Sequence, residues 1–289
     1  FHQTMDAWAG VQHLRTGPVE SFDRYHRFQL WPDKHNTGNK QIAKLLAAED
    51  IDALTTEHFG EASVAIQGLS AMERLLFGKK GTVEQFIKEN KASYHCLLVA
   101  AIAHNLTSMS RSLVEEWSKE PPYEMLFISA GGMTYELKLE KDISSRKEIT
   151  TGFFNNLYTQ VQSVIDQKLL RPLGKKSKAK PRYLESWRSL RSLRNIELNL
   201  RAVESLYETG FAPALNNKEL HKQIKKAFKT AYNAASTIKS PLYDALKDND
   251  KRKNIEALLA STRKLQSLLT GPLPEALDIE LGFNALDGD

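Results

Sequence analysis

A single cysteine, Cys96, in 289 residues excludes an intrachain disulfide and any cysteine-rich metal cage. Cys96 lies in the apolar run Tyr94–Ala101 and is expected to be a small buried core residue. No apolar run approaches the ~18 residues that a membrane-crossing helix needs. No signal peptide is visible, yet the chain opens on Phe1-His2-Gln3-Thr4-Met5-Asp6-Ala7-Trp8 already in helical register. That start reads as a processed or trimmed product. No His-x-x-x-His or His-x-x-Glu pair is expected among the histidines, and no His-Glu-x-x-His zincin signature occurs. His104, in an apolar run, is expected to be a core histidine. No glycine-rich phosphate loop follows a strand.

A large excess of charge of one sign is also lacking. The formal net charge is only +5. Basic residues gather at 175–182 and again at 218–229. Such patches can face an anionic polymer. No aromatic residues interleave these lysines as single-strand binding requires, so a solvated loop and a solvated helix face are the expected reading. No nucleic-acid partner is expected.

What is present is a soluble-type composition, 41% hydrophobic and 26% charged, in a chain long enough for one large core or two smaller ones. The hydrophobic period is helical almost throughout. It predicts helices at about 2–15, 19–30, 37–47, 51–57, 61–77, 81–118, 145–170, 182–208, 217–247 and 250–269. Thr82 with Gln85 offers a capping box. Gly78 and Gly210 follow periodic runs, where a left-handed C-cap favours glycine. Pro121-Pro122 stops the helix ending near Glu120. Only Met125–Leu139 breaks the pattern, as a short strand, a hairpin or an irregular linker. The fold class expected is all-α. Ala71–Leu76 before Gly78 is echoed by Ala202–Tyr207 before Gly210, each downstream of a proline break at Trp31-Pro32 or Arg171-Pro172. The echo suggests two helical bundles on a common plan: 1–125, a linker at 126–144, and 145–289.

Chemistry concentrates at Gly68-Leu69-Ser70-Ala71-Met72-Glu73. Residues three apart on a helix share a face, so Ser70 and Glu73 point the same way. Glu73 reads either as a carboxylate for a metal, a proton or a hydrogen bond, or as an ion-pair partner of Arg74 or another arginine. It is the one candidate for a catalytic or metal-ligating role. Ser70 as a nucleophile lacks a local general base. Gly68 in a helix costs about 1 kcal/mol relative to alanine. Close ligand approach or tight helix packing would compensate, and packing is the favoured reading. A second polar stripe comprises Glu185, Ser189 and Ser192, with Ser186 adjacent and Asn199 beyond, on one face of the 182–208 helix. The opposite rim of Arg188, Arg191, Arg194 and Arg201 is expected in solvent.

Several motifs resemble the imelysin-like family of helical bacterial envelope proteins, once classed as peptidases. Gln12–Pro18 and Phe28–Asp33 resemble its Gly-Pro and Trp-Pro motifs. Lys168–Leu173 and Glu185–Ser189 resemble its Lys-Leu, Pro-Leu and Glu-Ser-x-x-Ser block. Leu281–Asp289 resembles its terminal motif. The matches follow the family's order along the chain. Within that resemblance, 68–73 is a Gly-x-His-x-x-Glu motif whose histidine has become Ser70.

The resemblance implies two bundles side by side with a cleft between them, and export to the periplasm or the outer membrane, as a lipoprotein in some members. It implies a link to iron or haem uptake. Three readings follow. The first is a binding protein whose cleft holds a small polar ligand or ion against Gly68, Ser70, Glu73, Glu185, Ser186, Ser189 and Ser192. The second is a metallopeptidase, against which the missing histidine counts heavily. The third is a scaffold with a degenerate site. The enzyme reading is disfavoured. No cofactor is expected beyond a weakly held divalent cation, since a hydroxyl is a poor ligand for zinc or iron. A monomer, at most peripheral to a membrane and working with iron-uptake components, is expected.

Overall fold

The computed structural model describes residues 1–78, 93–118, 146–175 and 178–280. Every regular element among them is helical, so the chain is all-α. The expected capping box at Thr82, the Pro121-Pro122 stop, the 125–139 segment and the terminal motif at 281–289 lie outside the described residues. So does the linker at 126–144.

The chain divides into two compact units. One comprises Phe1 and Gly17–Ile128, the other His2–Thr16 and Ser129–Asp289. The N-terminal helix His2–Val11 therefore belongs with the later part of the chain, where it packs on Ser192–Leu206.

The first unit gathers short helices around one long one. Arg24–Phe28, Thr37–Ala48, Thr56–Gly60, Val64–Gln67 and Leu69–Phe77 precede Tyr94–Ser118. Apolar positions of the long helix recur at Leu98, Ile102, Leu106 and Met109, all buried. That period of three and four is what gives a helix one core face. The predicted helix over 61–77 is broken. Gly68 is extended at φ −119°, ψ −165°, and separates Val64–Gln67 from Leu69–Phe77. A Cβ at Gly68 would lie 2.7 Å from the Phe28 carbonyl carbon and closer still to the Arg27 and Phe28 oxygens. Tight backbone approach therefore accounts for this glycine, and it avoids the helix-interior cost because it caps a helix. Gly78, expected to be left-handed, instead has φ −75° and ψ 171°.

The second unit is a bundle of longer helices with a continuous core from Phe154 to Leu273. Ile196, Leu200 and Val203 are each wholly buried along Ser192–Leu206. Each side chain contributes roughly 1.5–3 kcal/mol through removal from water. Lys218–Ser236 and Asn249–Thr270 pack against each other, and both have capped starts. Asn217 accepts from the Leu220 amide at 3.0 Å, and Asp248 accepts from the Asp250 amide at 2.9 Å. The lysines at 218, 222, 225, 226 and 229 are all exposed, as a solvated face requires.

Three spans differ from the sequence expectation. The 145–170 run ends in a π-helical stretch, Val164–Leu170, and a last turn through Arg171–Leu173. The 182–208 run is not one helix. It has a 3-10 turn at Pro181–Tyr183, then irregular turns, and becomes α-helical only from Ser192. The 217–247 run ends at Ser236, and Leu242–Ala245 forms a separate short helix. Gly210 lies inside a second π-helical stretch, Tyr207–Phe211, not at a left-handed cap.

Candidate functional site

In the first unit, the Leu69–Phe77 helix carries the motif against the Gln29–Asp33 segment. Ser70 Oγ donates to the Leu30 carbonyl at 2.9 Å. One turn on, Arg74 Nη2 donates to Asp33 Oδ2 at 2.8 Å, with both side chains largely shielded. Asp33 also receives the Thr37 amide at 2.8 Å and the Gly38 amide at 3.0 Å. One carboxylate thus caps the helix Thr37–Ala48 and neutralises Arg74. Burial pushes the Arg74 guanidinium down, while the charges of Asp33 and Glu73 push it back up. Glu73 itself is buried at 6% exposure, on the same helix as Leu69, Met72 and Leu75. A carboxylate with little solvent needs charge or hydrogen-bond compensation, and Arg74 lies within its field.

In the second unit the organising group is Lys168, on the buried stripe of Val161, Val164, Ile165 and Leu169. Its Nζ donates to Gln12 Oε1 at 2.8 Å, Glu185 Oε2 at 2.8 Å and Asn199 Oδ1 at 2.6 Å. An ammonium has three hydrogens, so these bonds saturate it. Asn195 Nδ2 adds a bond to Glu185 Oε2 at 3.0 Å and one to Ser186 Oγ at 3.2 Å. Asn199 Nδ2 reaches the Ala9 carbonyl and Gln12 Oε1, each at 2.7 Å. The network thereby ties the N-terminal helix to the bundle. Burial pushes the Lys168 ammonium below its ordinary range, and the Glu185 carboxylate opposes that shift. Chemically the cluster is a neutral ion pair wrapped in three amides.

Glu185, Ser186 and Ser192 do come together. Ser192 Oγ donates to the Glu185 carbonyl at 2.6 Å, and all three residues are buried. The agent is a turn, not the expected helix face: Ser186 and Leu190 adopt φ 49° and φ 59°, and the Arg191 amide returns to the Ser186 carbonyl at 3.1 Å. Ser189 is half-buried and donates to the same Ser186 carbonyl at 3.2 Å. Gly68, Ser70 and Glu73 belong to the first unit, and the other four candidates to the second. Lys168, Gln12 and Asn195 are not among the site residues the sequence predicts. The available signal is a lysine at a stripe position where every neighbour is apolar.

Arg188 and Arg191 depart from the solvent-facing expectation, being half-buried, while Arg194 and Arg201 are exposed. Arg191 pairs with Asp6, and Arg188 covers the Trp187 ring at 4.4 Å. His104 is exposed, not in the core, and Cys96 is only half-buried. A His-x-x-Glu spacing does occur, at His58 and Glu61. The helix ends at Gly60 between them, and His58 Nδ1 faces the Asp52 carbonyl at 3.0 Å, so the pair shares no helix face. Among the described residues, no three His, Cys, Asp or Glu side chains converge as a metal cage would need.

Among curated proteins, none matches the chain. Two solved structures share its fold. An imelysin-like protein from Psychrobacter arcticum 273-4 superposes with a TM-score of 0.73 at 18% identity, covering 96% of this chain and 80% of that one. A protein from Parabacteroides distasonis ATCC 8503, described as a "putative iron-regulated protein A precursor", superposes with a TM-score of 0.72 at 15% identity, covering 92% and 78%. The profile of the family Peptidase_M75, Imelysin, matches residues 1–269, and the chain belongs to that family.

Proposed function

We propose that the protein is a binding member of the imelysin family, not a peptidase, and that it serves iron or haem uptake in the cell envelope. In this reading a polar ligand or ion sits in a polar cleft, with Glu73 as its principal acceptor. The observation that carries the reading is the Ser70 hydroxyl, which donates to the Leu30 carbonyl. Serine there supplies no imidazole beside Glu73, and water activation by a bound metal needs a well-populated ligand set. The iron link draws support from the iron-regulated description of the Parabacteroides relative. A periplasmic or outer-membrane-associated address and a monomeric state, with no nucleic-acid partner, belong to the same proposal.

Calorimetric titration of the whole chain with zinc, ferric citrate, calcium and haemin tests it. Saturable binding of one of these, lost in Glu73→Ala while the fold is kept, supports the reading. Sub-micromolar zinc binding together with peptide hydrolysis overturns it in favour of the peptidase. A second reading, a scaffold with a degenerate site, is favoured by the closure of the Lys168 network, whose ammonium has no hydrogen left for a ligand. Under that reading none of the four probes binds and Glu73→Ala changes stability alone.

A further inference from the structure

The first unit contains a pocket of about 610 Å³ between the long helix Tyr94–Ser118 and the segments around Phe22, Leu54 and Phe59. That volume suits a small organic molecule. Its deeper wall is apolar, with Phe59 and Met109 buried. Phe22, Ile51 and Leu97 also line it, and they remain 75%, 56% and 38% exposed. Phe22 is held at φ 57°, a conformation that bulky residues rarely adopt. Backbone strain of this kind concentrates where side chains meet ligands.

The polar side of the pocket is positively biased. No Asp or Glu lines it among the described residues. Arg24 is neutralised by Glu116, at 2.9 Å through Nη1. Arg27 differs. Its Nε donates to Gln67 Oε1 at 2.7 Å and its Nη2 to the Gly60 carbonyl at 2.9 Å. Both acceptors are neutral, so they orient the guanidinium without cancelling its charge. Gln67 is 1% exposed and is itself anchored to the Gly60 carbonyl at 3.2 Å. The result is an aimed cation whose Nη1 has no hydrogen-bond acceptor among the described residues, at the edge of an apolar pocket. Carboxylates and sulfonates match that fork.

We propose that this pocket binds an amphipathic organic anion, a carboxylate or sulfonate carried on an apolar body, with Arg27 receiving the anionic head. The site is independent of Glu73 and of the polar-cleft reading. The probe is 8-anilinonaphthalene-1-sulfonate, titrated by fluorescence into the folded full chain, with neutral N-phenyl-1-naphthylamine as the uncharged counterpart and decanoate as competitor. The wild type should bind the anionic dye saturably at one site, and decanoate should displace it. Ala101→Trp, which fills the pocket, should abolish binding of both dyes. Arg27→Gln should weaken the anionic dye by about tenfold or more while the neutral dye is retained. Should Arg27→Gln fail to fold, Ser108→Glu places a carboxylate on the pocket wall without touching the Arg27 bonds, and the same selective loss is expected. Absence of saturable binding, equal affinity of the anionic dye for wild type and the charge variants, or survival of binding in Ala101→Trp would each overturn the proposal.

Discussion

Lys168 Nζ meets Glu185 Oε2 at 2.8 Å with the two side chains only 3% and 2% exposed. Such a pair is held by mutual compensation, because either charge alone would face the full desolvation cost. Glu185→Leu should therefore destabilise the protein by about 3–5 kcal/mol, leaving an ammonium with only amide acceptors. Lys168→Met/Glu185→Leu should be less damaging than the sum of the two single changes. Urea denaturation of the four proteins closes the cycle. Additive effects would show that the pair is not energetically coupled.

His13 provides a pH dependence. It is 8% exposed, and its Nδ1 is buried without a partner among the described residues. Burial pulls its pKa down from 6.5 to about 4. The folded state thus resists the proton that the unfolded state accepts. Stability from this group is complete above pH 6.5 and drains away as pH falls towards 4. The shift corresponds to on the order of 3 kcal/mol. Wild type minus His13→Leu, compared across that window by thermal melts, should isolate the effect from the carboxylates. If the two proteins lose stability in parallel, the buried imidazole is not the cause.

The all-α class and the longest helices are legible in the sequence because the period of three and four survives wherever one face is buried, as at Leu98, Ile102 and Leu106. The breaks are not legible, because their causes are remote in sequence. Nothing near Gly68 announces the carbonyls of Arg27 and Phe28. Ser186 and Leu190 in left-handed conformations carry no local turn signature, and tertiary bonds from Asn195 and Ser192 hold that turn. Glu185, Ser186 and Ser192 are therefore recognisable as neighbours, but through a helix face that does not exist. Lys168 is visible as a motif residue and not as a hub, since its partners Gln12 and Asn199 lie 156 and 31 positions away.

The two glycine environments make opposite predictions. Gly68→Ala drives a methyl into the Arg27–Phe28 backbone, which cannot rotate away as a side chain would. A loss of about 1–3 kcal/mol or more is expected. Gly10, in the helix His2–Val11, has nothing within 4 Å of where a Cβ would stand. Gly10→Ala should stabilise by roughly 0.5–1 kcal/mol through helix propensity. Differential scanning calorimetry of both variants reads the contrast, and equal melting temperatures would refute it.

Asp33 serves three donors at once: the Thr37 amide, the Gly38 amide and the Arg74 guanidinium. Asp33→Ala should remove the helix cap, at about 1 kcal/mol, and strand a shielded guanidinium, at a further few kcal/mol. Asp33→Asn keeps an acceptor for the cap but not the charge, so it should fall between wild type and Asp33→Ala. Arg74→Met in the Asp33→Asn background should then cost less than in the wild type, because the attraction it removes is already gone. The same series reports on the motif helix, since Arg74 and Ser70 lie one turn apart on Leu69–Phe77. If Asp33→Ala leaves urea midpoints unchanged, the Trp31–Asp33 segment does not anchor that helix.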